Sequence, residues 1–319
     1  EMTWGPYLPV TSYKYLTSEN KQVTFKHKFD DERRNKYRKL KTSPYANEEV
    51  NRLVNACLNS TPVGQDLVPD LLNLAYYAGN FDHRPASELP MEMQDTYVRL
   101  DANLAELLDI IDRKVGLSNT LFYITSTRYT DAQPLDDRTY RIPTGEFHIK
   151  RCAALLNLYL AAIYGEGQYV EAHHEQEIYL NHKLIEEKHL NLTEVMARSS
   201  EFLVQFSGVK DVYSSHRLML GSWTPELDKI KNRYHKSCSG DLWVEVLPGW
   251  TIAREHSLDT RVVRDVYTSS PFILMGWDMR PEVIHAPIKV GHIAPTLAHF
   301  MRIRAPNASS LPPLTDIRK

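Results

Sequence analysis

The stretch "MQDTYVRLDANLAELLDIIDRKVGLSNTLFYIT", residues 93–125, constrains the fold most. Tyr97, Leu100, Leu104, Leu107, Leu108, Ile111 and Val115 recur at helical spacing, with acids and bases between them, so the spacing predicts an amphipathic helix over 93–117. Gly116 is a natural C-cap. The apolar run Leu121–Ile124 follows after a short turn and reads as a buried strand. Upstream, "DLVPDLLNLAYYAG" (66–79) is a second strand candidate. Strand, helix and strand in that order form a crossover unit and predict a parallel sheet.

At 319 residues with 42% apolar content, the chain is long enough for one large α/β domain or two small ones. The formal charge of −2 and the lack of a basic stripe with interleaved aromatics argue against a nucleic-acid surface. "RRNKYRKLK" (33–41) reads as a solvated helix face. No apolar run reaches the ~20 residues of a membrane span. Cys57, Cys152 and Cys238 are too scattered for a disulfide framework or a zinc knuckle, and the first two read as buried thiols.

Elsewhere the sequence predicts short aromatic strands in "YKYLT" and "QVTFKHKF" and a helix over about 47–59. A helix from about 150 closes at Gly165. A strand or turn follows in "QYVEAHHEQEIYLN", then a helix in two pieces whose second could be capped by Thr193. Strands are predicted in "SGDLWVEVLPGWTIA" and in "SPFILMGW" (270–277), the latter buried. A final helix opens near Ile293, and a Pro-rich tail is expected to be extended.

"EAHHEQE" (171–177) is the densest cluster of His and Glu, but no matching second cluster lies nearby, and it reads as a surface segment. His182 and His189 read as surface helix residues. "GNFDHRP" (79–85) follows a strand and holds Asp82 and His83, residue types that a hydrolase uses. There is no phosphate-cradling glycine loop, no G-x-S-x-G and no H-E-x-x-H. The carboxylates of "LDANLAELLD" and "DIIDRKVG" lie on the polar helix face.

Taken together, "DLLNLAYYAGNFDHRP", "DTYVRLDANLAELLDIIDRKVGLSNTLFYIT", "YLNHKLIEEKHLNL", "SGDLWVEVLPGW", "SPFILMGW" and "HIAPTLAHFMRIRAPN" resemble the alkaline phosphatase superfamily, in its branch of zinc-dependent phosphatases and phosphodiesterases of Bacteroidota. The resemblance implies an α/β fold of three layers, with a mainly parallel sheet. It assigns 1–139 and 261–319 to that core and 140–260 to a smaller α+β insertion. It also implies two zinc ions at the strand C-termini and a Thr or Ser nucleophile between them.

Carried over residue by residue, the family's Asp and His after "LAYY" fall on Asn80 and Arg84. Its Asp-His-Gly after "LFYIT" falls on Thr127, Arg128 and Tyr129, and its last His falls on Ser269. A guanidinium stays protonated and cannot ligate zinc. With a slip of one or two positions, Asp82 and His83 are substitute ligands at the first site.

The expectation is a phosphatase-like chain with its metal site dismantled, without cofactor or catalytic residue, acting in binding or assembly. The alternative is a zinc-dependent phosphoesterase with ligands elsewhere or on an N-terminal segment. Arg84 and Arg128 would face one another as an anion site for a phosphorylated small molecule, or close on Asp82 as an internal salt bridge. The expected partner is an N-terminal segment of the same gene product or another subunit. The expected location is the periplasm or cell envelope.

Overall fold

The computed structural model describes residues 2–13, 24–29, 36–84, 88–126, 143–221, 224–253, 260–263, 269–276, 279, 281–315 and 317. The chain divides into two compact units, residues 1–131 with 268–319, and residues 132–267.

In the first unit, β1 (Thr3–Trp4) pairs antiparallel with β2 (His27–Lys28). Three helices follow: α1 (Lys36–Lys41), α2 (Tyr45–Ser60) and α3 (Pro90–Lys114). Pro90 opens α3 at a position where its missing N–H costs nothing, and Arg113 and Lys114 sit in the last turn, where the helix dipole favours them. Gly116 follows at φ 88°, an angle open to glycine. The C-terminal half of α3 buries Leu107, Ile110 and Ile111 against Val54 and Leu58 of α2. The N-terminal half departs from the predicted stripe: Tyr97 is exposed, while Glu92, Asp95, Thr96 and Asn103 are buried.

Asp95 meets an aromatic cluster of Trp4, Tyr13, Phe25, Phe29 and Phe81, whereas the Asn103 carbonyl accepts from Asn51 Nδ2 of α2 (2.9 Å). The Asp95 carboxylate accepts from Trp4 Nε1 (2.6 Å), Tyr7 N (2.6 Å), Tyr13 Oη (2.5 Å) and Arg99 Nε (2.8 Å). A buried carboxylate is tolerated because its lone pairs are filled and a guanidinium lies beside it.

β3 (Leu121–Thr125) pairs antiparallel with β11 (Phe272–Gly276). Gly276 has φ 106°, and a Cβ there would stand 2.1 Å from the Thr120 carbonyl. The ribbon is half exposed, where burial was expected of "SPFILMGW". The helix Ile293–Phe300 carries Pro295 in its first turn. The tail is docked on it: His292 Nδ1 donates to the Pro312 carbonyl (2.9 Å), and Leu314 N donates to the buried Thr296 Oγ1 (2.9 Å).

The second unit holds a four-stranded antiparallel sheet in the order β5-β6-β8-β7. Its strands are β5 (Val170–His174), β6 (Glu177–Leu180), β7 (Val209–Ser214) and β8 (Leu242–Val246). The helices Ile149–Tyr164 and Leu192–Leu203 close its core through Leu156, Leu160, Val195 and Leu203. The first of these helices ends at Gly165 as predicted, with φ 86°. The second is capped by Asn191, whose side chain accepts from Thr193 N and Glu194 N, two residues before the predicted Thr193. A smaller sheet joins β4 (Glu146–Phe147), β9 (Thr251–Ala253) and β10 (Thr260–Val262). Cys152 is buried, and burial pushes its thiol up to about 11; Cys57 is only partly buried and Cys238 is exposed.

Among the described residues the strand pairs differ from the mainly parallel expectation. Only β4 with β9 is parallel, and the other pairs are antiparallel. The reason lies in the expected crossover. The 66–79 stretch, read as its first strand, forms no ladder among the described residues, and β3 takes β11 as its partner instead.

Several buried and partly buried tyrosines bear on alkaline stability. Burial raises the phenols of Tyr13, Tyr45, Tyr164 and Tyr213, and pushes Tyr76 and Tyr179 up to about 12. A phenol raised in the fold keeps a proton that the unfolded chain releases near pH ~10. Its contribution is complete below that pH and falls as the pH rises toward about 12. Denaturant midpoints should hold steady from neutral pH to ~10 and then drop, with part of the tyrosinate absorbance appearing only on unfolding. A midpoint unchanged to pH ~12 would refute this.

Candidate functional site

The candidate site is built on the turn after residue 78. Phe81–His83 form a single 3-10 turn flanked by Asn80 and Arg84. Asp82 (φ 53°) and His83 (φ 57°) both adopt left-handed backbone, which costs a non-glycine residue ~1–2 kcal/mol each. The surroundings hold the turn in place. Phe81 is buried against Trp4, Phe29 and His27. Tyr77 Oη donates to the Asn80 carbonyl (2.5 Å), and His83 N donates to that same oxygen (3.1 Å). Asp82 N donates to Thr42 Oγ1 (3.2 Å).

The charges on the turn pair in a way the sequence did not reveal. Asp82 Oδ1 lies 2.8 Å from Arg38 Nη2. Arg84 donates through Nε (3.1 Å) and Nη2 (2.8 Å) to Glu88 Oε2, with both side chains half exposed. Asp82, the anion expected beside Arg84, is therefore engaged by Arg38, a member of the basic stretch read as solvated. Behind the turn, His27 Nε2 meets the buried Glu92 Oε1 at 2.9 Å.

The second half of the site lies at the end of the β3–β11 ribbon. Phe272 pairs with Thr125, so Ser269, which is exposed, approaches the C-terminal end of β3. Thr127, Arg128 and Tyr129 lie outside the described residues, and so do residues 14–17 of the strand expected in "YKYLT". Asn80, Asp82, His83 and Arg84 thus share one turn, to which Ser269 does not belong.

As a donor set for zinc, the positions that the resemblance assigns do not fit. Asn80 is a buried neutral amide, Arg84 is a cation, and Ser269 is an exposed hydroxyl. Zinc takes thiolate, imidazole and carboxylate. "EAHHEQE" forms the β5–β6 hairpin, with Glu175 at φ 52° and Gln176 Nε2 donating to the Val244 carbonyl (2.9 Å). His182, although exposed, meets Asp241 Oδ1 at 2.7 Å. Among the described residues no helix is long and apolar enough to cross a membrane.

Residues 6–270 match the family described as type I phosphodiesterase / nucleotide pyrophosphatase, and the chain belongs to that family, within the alkaline phosphatase superfamily. Among curated relatives, alkaline phosphatase PafA of Elizabethkingia meningoseptica is 23% identical over 98% of this chain and 60% of its own length. A protein named calcium-transporting ATPase from Myroides odoratus is 22% identical over 98% of this chain and 60% of its own length. Alkaline phosphatase PhoV of Synechococcus elongatus is 21% identical over 100% of this chain and 60% of its own length. A crystal structure of wild-type PafA superposes with a TM-score of 0.72 at 24% identity, over 88% of this chain and 54% of that one. The fold is accordingly α/β of the alkaline phosphatase type. The chain spans about 60% of the length of the curated relatives it matches.

Proposed function

We propose that this chain is a catalytically silent member of its family that serves in binding or assembly. One observation carries the reading. Arg84, at a position where the family resemblance places a metal-binding His, holds a fixed positive charge already forked onto Glu88. A guanidinium cannot lose its proton to become a ligand, and its charge opposes a divalent ion beside it. Asn80 supports the same reading, since an amide brings no negative charge to balance zinc.

The test is elemental analysis of the purified chain, with hydrolysis of an aryl phosphate measured in parallel. The expected results are less than one zinc per chain and no hydrolysis that a chelator abolishes. Two tightly bound zinc ions, or chelator-sensitive turnover, would restore the phosphoesterase alternative and overturn the proposal. Binding of a phosphate ester that Arg84→Ala abolishes would assign the remaining function to the arginine pair. Equal affinity in both proteins would remove that anion site.

A further inference from the structure

We propose that the first unit contains a vacant strand position between residues 71–77 and β3. The occupant we assign is a strand from the part of the matched relatives' length, about two-fifths, that this chain does not span.

Residues 71–77 have the side-chain alternation of a strand. Leu72, Leu74 and Tyr76 pack onto the α2–α3 cluster, while Leu71, Asn73 and Ala75 face outward. Their backbone is held at one end by a side chain acting in place of a neighbour. Asn47 Oδ1 accepts from Tyr77 N (2.7 Å), and Asn47 Nδ2 donates to the Tyr77 carbonyl (2.9 Å). Tyr76 Oη is tied to Asn51 Oδ1 (2.6 Å). Among the described residues, the N–H groups of 71–76 make no backbone hydrogen bond. An extended segment so fixed, with its ladder groups open, is a template for another strand.

The other wall of the position is β3. One edge of β3 pairs with β11, and its other edge carries no ladder among the described residues. The ribbon is apolar on both faces. Phe122, Ile124, Ile273 and Met275 lie on one, and Leu121, Tyr123, Phe272 and Leu274 on the other. Ile124, Ile273 and Met275 remain 43%, 48% and 41% exposed. A two-stranded ribbon of this composition is marginal alone and belongs inside a wider, covered sheet.

One contact ties the two walls together, Tyr123 Oη donating to Asn73 Oδ1 at 2.9 Å. That contact places the two segments within side-chain reach of one another on one face, while no ladder bond among the described residues joins residues 71–76 to β3. The length of the relatives names the occupant: they extend well beyond the 60% that this chain covers.

Amide hydrogen exchange tests this. The 319-residue chain alone is compared, across protein concentration, with the protein isolated intact from its native cells. The expected result is near-unprotected exchange at 72–76 in the isolated chain and at least ~100-fold slowing in the native material, as a ladder bond provides. Rapid exchange in both would overturn the vacant position. Protection in the 319-residue chain as a monomer would show that the chain closes the position itself, which also overturns the proposal. Protection that grows with concentration and a doubled mass would assign the position to a second copy and overturn the occupant.

Discussion

Replacing Asp95 with alanine is expected to cost ~3–5 kcal/mol of stability, the range for breaking a buried, fully paired charge. Asp95 is 0% exposed, and its two oxygens receive four donors. Three of them belong to Trp4, Tyr7 and Tyr13, so one carboxylate fastens the N-terminal segment to α3. The fourth is Arg99, which also donates to the Gly5 carbonyl (3.0 Å) and lies over the rings of Tyr7 and Tyr45. Removing the carboxylate strands an indole N–H, a backbone N–H and a guanidinium in a desolvated place. Asp95→Asn separates charge from shape. Its amide NH2 would point at groups that are themselves donors, so it should cost nearly as much as alanine. Urea unfolding measures both, and proteolysis within residues 2–13 should accelerate in both variants. A loss below ~1 kcal/mol for alanine would show that the four contacts do not act on a buried charge.

Gly208→Ala is expected to cost ~2–5 kcal/mol, the sum of backbone strain and overpacking. Gly208 has φ +87°, and a Cβ built on it stands 2.4 Å from Trp250 Cε3. The Gly208 carbonyl also accepts from Leu247 N (2.8 Å) beyond the end of β8, so the backbone has little freedom to retreat. The indole itself is hemmed in, since a Cβ on Gly145 would meet the same ring at 2.8 Å. Gly165→Ala is the control. Gly165 has nearly the same angle, φ +86°, but its added Cβ would meet only Lys188 Nζ, at 3.5 Å. Strain alone should make that variant ~1–2 kcal/mol less stable. Equal denaturation midpoints for the two variants would mean that the indole moves aside and the contact carries no cost.

The candidate site was legible in address more than in arrangement. That residues 79–85 form a loop follows from the apolar run before them and from Gly79, Asn80 and Asp82 within them. That Asp82 and His83 adopt left-handed backbone does not follow, because the turn is imposed by Phe81 buried among rings from distant segments. Charge pairing was misread for a related reason. Arg84 finds Glu88 four residues along, a local pair, whereas Asp82 finds Arg38 only because α1 packs beside the turn. The expected first strand shows the same limit. Leu72, Leu74 and Tyr76 alternate as a strand should, yet a ladder requires a neighbouring backbone that no local pattern can supply.

What the sequence determined by itself is what forms within a few residues. This covers the helices Tyr45–Ser60, Pro90–Lys114 and Ile149–Tyr164, the glycine ends at Gly116 and Gly165, the strand Leu242–Val246, and Pro295 in a first turn. Helix periodicity, caps and φ preferences act over one to four residues, so the residues themselves state them. Only the tertiary structure decided that Asp95 turns inward while Tyr97 turns out, that β3 pairs with β11 rather than across a crossover, and that Pro312 and Leu314 fold back onto His292 and Thr296. Each of those outcomes depends on which group arrives from far along the chain, as Trp4 does to reach Asp95. A buried polar residue is stable only once that partner is in place, and residue type alone does not say whether it will be.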